Sequence, residues 1–162
     1  MKKISCLMVA LMLLCLIASR AQAAIGVGYE TLVILPHAFT VNYWDQKSGW
    51  GVKGSADFGT SAFSLTTTLA SIIGTIGLSG ATNVQFYTLS VTKDYAQEQQ
   101  SRSYFKLGAL ALSGKVAGVL TTGYLPIAGL GWEWQKLWGG SWAFASEIGF
   151  PELWTMGLKT YF

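Results

Sequence analysis

The residues best suited to chemistry are His37, Asp57 and Ser61. A histidine base, a carboxylate to orient it and a nearby hydroxyl are the parts of a nucleophilic hydrolase or transferase. They form a set only if chain pairing brings His37, the one histidine, opposite Phe58, with Asp57 beside it and Ser61 just beyond. The plainer reading of His37 is a loop side chain in solvent, so the three remain weak catalytic candidates. A second constellation is larger. Glu30, Lys53, Asp57, Asp94, Lys106, Glu133, Glu147 and Lys159 each sit in a stretch that alternates apolar and polar residues. Charges spaced this way share the polar face of strands, where they either pair with one another or line an acidic vestibule for a cation or small ligand.

What must position these residues depends first on what is removed. Lys2 and Lys3 precede an apolar run from Ile4 to Ala18, and Ala21-Gln22-Ala23 is an A-x-A cleavage site. The pattern is that of a secretory signal peptide over residues 1–23, leaving one domain over 24–162. Cys6 and Cys15 lie in the removed segment, so the mature chain is expected to be no disulfide scaffold, zinc-thiolate protein or thiol enzyme. Lys2, Lys3 and Arg20 leave as well, and the formal charge of +3 falls to about zero. The basic balance therefore gives no support to nucleic-acid binding, and neither cofactor nor metal is expected.

Only 12% of the chain is charged while 14% is aromatic, against roughly 25% charged in soluble domains. No apolar run after the signal is long enough for a membrane helix. An exported, apolar chain without a spanning helix points to strands that are each half apolar, closed into a barrel. The expected fold is all-β, an antiparallel up-and-down transmembrane β-barrel of eight strands. They run about Ile25 to Leu32, Phe39 to Asp45, Trp50 to Phe58, Val84 to Asp94, Tyr104 to Leu112, Ile127 to Gln135, Ser141 to Gly149, and Trp154 to Phe162.

Turns are expected at Gln46–Gly49, Ala96–Ser103 and Lys136–Gly140 on the side from which the chain is delivered, with loops at Val33–Ala38, Gly59–Asn83, Ser113–Pro126 and Pro151–Glu152 on the other. Trp50, Trp138, Trp142, Trp154 and Tyr161 near strand ends fit aromatic girdles. Gly59–Asn83 is the odd piece. Leu65, Leu69, Ile72, Ile73 and Ile76 recur at helical spacing, and the alternative is two more strands, giving ten. Glycines on the polar faces, including Gly26, Gly28, Gly51, Gly108, Gly129, Gly131 and Gly157, suit a narrow lumen. Register then predicts Glu133 level with Ala143, Ala143 level with Lys159, and a lumenal ion pair between Glu133 and Lys159. It also places Lys53 opposite Asn42 and Asp94 near Lys106, with Glu30, Asp57 and Glu147 grouped as an acidic upper half.

In architecture the mature chain resembles the small eight-stranded outer-membrane barrels of the OmpA/OmpX-like class. The resemblance extends to the C-terminal segment, where Met156-Gly157-Leu158-Lys159-Thr160-Tyr161-Phe162 is similar to that class's assembly signal at Gly157 and the terminal aromatic Phe162, with Tyr161 beside it, and departs from it at Thr160. The resemblance implies location in the outer membrane of a Gram-negative cell and partners among outer-membrane lipids, lipopolysaccharide and the barrel-assembly machinery. It implies a non-enzymatic role, structural or surface-binding. The alternatives are a narrow pore or carrier for a small or hydrophobic solute and, through His37, Asp57 and Ser61, a lipid A-modifying enzyme.

Overall fold

The computed structural model describes residues 23–32, 38–57, 82–137, 140–151 and 153–162. Eight antiparallel strands form β1 (Ala23–Leu32), β2 (Ala38–Asp45), β3 (Trp50–Asp57), β4 (Thr82–Gln97), β5 (Ser101–Val116), β6 (Val119–Leu137), β7 (Trp142–Phe150) and β8 (Leu153–Tyr161). Each pairs with its sequence neighbours, and β8 returns to β1, so the sheet closes as a barrel. Because β3 pairs directly with β4 through Trp50↔Lys93 to Ala56↔Tyr87, the ring holds eight strands and not ten.

Side chains alternate across the wall with period two. On β8, Thr155, Gly157 and Lys159 are buried while Trp154 and Leu158 are exposed. On β4 and β5, Leu89 and Leu107 are 63% and 64% exposed, whereas Ser90 and Lys106 beside them are 1% and 2% exposed. The polarity is the reverse of a water-soluble barrel: Tyr87, Leu89, Val91, Phe105, Leu107 and Ile148 face out, while Glu30, Lys53, Arg102, Lys106, Glu133, Glu147 and Lys159 are buried inside. No helix among the described residues is long and apolar enough to cross a membrane.

Several boundaries differ from the sequence expectation, among them the end of β6, which takes in Lys136 and Leu137 of the expected turn Lys136–Gly140. Ser113–Pro126, expected as a loop, is a long hairpin: β5 and β6 stay paired from Ser101↔Trp134 up to Val116↔Val119. Its turn is only Ala117-Gly118, with φ of 49° and 83°, the left-handed pair that a two-residue hairpin turn requires. Thr121, Thr122, Gly123 and Pro126 look like loop residues, but among the described residues β6 is here the edge strand and tolerates them. Ala96–Ser103, expected as a turn, shrinks to Glu98–Gln100, and a register shift between Asp94 and Ala96 keeps the strands paired as far as Gln97↔Arg102. Thr82 and Asn83, the last residues of the expected helical or loop segment, already belong to β4; the rest of that segment lies outside the described residues.

The strands are therefore unequal. β7 ends at Phe150, opposite Ala128, but β6 continues through Val119–Ile127 in partnership with β5. β4, β5 and β6 thus rise past one rim as a three-stranded sheet. The rim with the turns Gln46–Gly49 and Glu98–Gln100 is called the turn end below, and the other the hairpin end.

Candidate functional site

The lumen is filled by one chain of alternating charges. Lys106 Nζ lies 2.6 Å from Glu147 Oε2, and Lys53 Nζ lies 2.7 Å from Glu147 Oε1 and 2.6 Å from Glu30 Oε2. Lys159 Nζ sits 3.4 Å from both Glu30 Oε1 and Glu133 Oε2. Arg102 continues the chain, 3.2 Å from Glu133 Oε2 and 3.5 Å from Asp94 Oδ1. The cations Lys106, Lys53, Lys159 and Arg102 thus alternate with Glu147, Glu30, Glu133 and Asp94. The chain is neutral overall, and its side chains are 0–6% exposed.

Neutral hydroxyls and rings complete it. Tyr104 donates its hydroxyl to Glu147 at 2.6 Å, and the Tyr161 hydroxyl lies 2.8 and 2.9 Å from the two Glu133 oxygens. Gln135 donates to Glu133 at 3.1 Å, and the Trp44 indole donates to Asp94 at 2.9 Å. The Arg102 guanidinium lies 4.2 Å from the Trp44 ring centre and 4.7 Å from that of Tyr104, so its faces are covered by π-systems and its edge by carboxylates. Buried charges are tolerated when each is paired and most of their atoms are hydrogen-bonded; Glu30 Oε1 is the exception among these carboxylates, held only by its ion pair with Lys159.

Glycines make the room. The β1–β8 seam pairs Gly26 with Tyr161, Gly28 with Lys159 and Gly157 with Glu30. In each pair the large side chain lies over the bare backbone opposite: a Cβ at Gly28 would stand 2.7 Å from Lys159 Cγ, and one at Gly26 would stand 2.7 Å from the Tyr161 ring. Gly131 serves Tyr104 in the same way. Towards the hairpin end the filling turns apolar, with Phe86, Leu110, Leu112 and Ile127 all at most 2% exposed.

The register places the sequence-derived residues as follows. Lys53 is opposite Asn42, and Ala143 is opposite Lys159. Glu133 is level with Ala145 rather than Ala143, because a bulge lies between Trp134 and Leu137. Asp94 meets Arg102 and not Lys106, whose level on β4 is Thr92. Glu30 and Glu147 do not form an acidic vestibule, since Lys53, Lys106 and Lys159 reach them. Asp57 is known only by its backbone pairing with Ala38; its side chain, and His37 and Ser61, lie outside the described residues. Of the terminal motif, Gly157 is the socket for Glu30, Tyr161 turns into the lumen instead of joining a girdle, and Phe162 faces out at 79% exposure.

Arg102, Tyr104, Trp44, Gln135 and Tyr161 join the network without having been expected in it. Arg102 was assigned to a solvated turn, though it falls in phase with Tyr104 and Lys106, and that period-two match is the signal that finds it. What the assembled arrangement does chemically is hold. Every carboxylate of the chain already has its cation, and among the described residues no group of three or more metal-ligating side chains occurs.

Comparison with known proteins identifies no family: no protein-family model and no curated protein matches. Among solved structures, the chain is similar to the Yersinia pestis outer membrane protein Ail in a phospholipid bilayer nanodisc, at 15% identity and a TM-score of 0.49, covering 86% of this chain and 98% of that one. Ail in complex with the heparin analogue sucrose octasulfate gives 12% identity and a TM-score of 0.44 over 86% and 95%. The N-terminal β-barrel domain of Pseudomonas aeruginosa OprF gives 7% identity and a TM-score of 0.44 over 86% and 96%.

Proposed function

We propose that the chain is an exported outer-membrane barrel, plugged rather than conducting, whose role is structural or surface-binding and non-enzymatic. The observation that carries this reading is the inverted polarity: a broad exposed apolar wall outside and a neutral, hydrogen-bonded charge chain inside. In water the outer wall is a large unfavourable exposure; in a bilayer it is what the solvent requires. Residues 1–23 act as the export signal, and Gly157, Tyr161 and Phe162 as the segment that the assembly machinery reads. An even number of strands sets both termini on the delivery side, so the turn end faces the periplasm and the hairpin end the exterior. Lipids and lipopolysaccharide surround the wall. The filled lumen and its apolar upper layer count against a pore or carrier.

The element that presents itself for surface binding is the rising part of β6. Val119, Leu120 and Tyr124 are 67%, 70% and 70% exposed, and among the described residues β5 is the only strand paired with Val119–Ile127. Such an edge offers a row of backbone donors and acceptors to an extended peptide. A fluorescein-labelled peptide of alternating valine and threonine, as long as Val119–Ile127, is expected to bind the refolded protein. Thr122→Pro, which removes an edge donor, is expected to weaken that binding at least tenfold while leaving heat-modifiable gel mobility intact. Equal binding by both proteins would refute the surface role assigned to this edge.

A further inference from the structure

At the turn end β6 combines two irregularities, a register shift and a strand residue at positive φ. Lys136 holds a positive φ of 56°, and a register shift lies between Trp134 and Leu137. A non-glycine residue in the left-handed region is strained by its Cβ, and bulges at barrel rims re-aim side chains. What the bulge re-aims here is an exposed ammonium, set between two clefts that share Gln135 and Lys136. One cleft, of about 570 Å³, runs between Glu98, Gln100 and Ser101 of the β4–β5 turn and the exposed face of Trp134. The other, of about 220 Å³, enters the mouth of the lumen over Trp44 and Tyr161, beside Gln46 and Ser141. The two walls are tied rather than loose: Gln135 donates its backbone N–H to Gln100 O at 2.7 Å and its side-chain amide to Glu133 at 3.1 Å.

We propose that this bulge is a binding site for an acidic amino sugar. Amides and hydroxyls offer donors and acceptors together, which matches a polyhydroxylated, N-acylated ring. The indole of Trp134 offers a flat apolar face to the ring in the larger cleft, and Lys136 supplies the countercharge for a carboxylate directed into the smaller cleft, away from Glu98 of the larger one. The source of such a sugar on that side of the membrane would be wall glycan stripped of its stem peptides, since the peptide otherwise holds the sugar's carboxyl as an amide; the assignment rests on the orientation proposed above.

The probes are N-acetylmuramic acid, which carries the carboxylate, and N-acetylglucosamine, which does not. Titrated by NMR into the detergent-refolded protein, the acidic sugar is expected to bind saturably and more tightly than the neutral one. Lys136→Met is expected to lower its affinity at least tenfold and to leave the neutral sugar unchanged. Lys136→Gly is expected to lose the same affinity while raising the unfolding temperature, since glycine adopts this φ without strain. No saturable binding of either sugar, or acidic-sugar affinity indifferent to Lys136→Met, overturns the site. Orientation is read separately: a Lys136→Cys variant in intact cells should resist a membrane-impermeant maleimide, and labelling from outside would overturn the wall glycan as the source.

Discussion

Glu147→Ala is expected to destabilise the barrel by about 3–5 kcal/mol, the usual cost of removing one partner from a buried ion network. Glu147 takes part in some of the shortest contacts in the lumen. It accepts from Lys53 at 2.7 Å, Tyr104 at 2.6 Å and Lys106 at 2.6 Å, and its side chain is 2% exposed. Losing it turns a neutral chain into one with a net positive charge in a space that water does not reach. Glu147→Gln is expected to recover part of the loss, because the amide oxygen still accepts one of those donors and no cavity forms. Urea unfolding in lipid vesicles, followed by gel mobility of unheated samples, measures both. Equal stability of wild type and Glu147→Ala would show that the chain contributes nothing to the fold.

Gly157→Ala should be nearly as costly, for a different reason. Its Cβ would stand 2.6 Å from Tyr29 O and 3.0 Å from Glu30 Cα, and it would run into Glu30 Cγ. Those first two atoms are backbone, so strand β1 must move away from β8 for one methyl group to enter. Overpacking of this kind costs about 1–3 kcal/mol even where side chains can yield, and here the displaced atoms are those that close the ring. The fraction of chain that attains the compact, heat-modifiable form should drop well below wild type. Gly54→Ala is the control. Its nearest foreign atom is Thr88 O at 3.9 Å, and replacing a strand glycine where space exists is neutral or stabilising. Indistinguishable folding yields for Gly157→Ala and Gly54→Ala would contradict the seam geometry.

Much of this architecture is legible in the sequence because a barrel strand needs only two facts, its phase and its turns. Trp154 to Phe162 alternates without interruption, and the structure follows that phase residue by residue. The tight turn Gln46–Gly49 brings Asn42 opposite Lys53 by counting alone. Counting fails where the backbone departs from period two. The bulge after Trp134 moves Glu133 by two residues relative to β7, and the shift near Tyr95 hides the point where β4 ends. Arg102 is obscured by its setting, since Glu98-Gln99-Gln100-Ser101 reads as solvent while the alternation has already restarted. Apolar filling near the hairpin end is masked by composition: Leu110, Leu112 and Ile127 look like bilayer-facing residues, and the phase set by Lys106 and Gly129 turns them inward.

The central claim is that lipid, not water, meets the outer wall while the charges stay inside, and tryptophan quenching by brominated acyl chains tests it most directly. Trp44 lies in the lumen at 2% exposure and Trp154 on the outer wall at 45%. In single-tryptophan variants refolded into such vesicles, Trp154 fluorescence should be strongly quenched and that of Trp44 scarcely altered. Equal quenching of the two, or a chain that remains monomeric in water with Trp154 unquenched, would contradict the account.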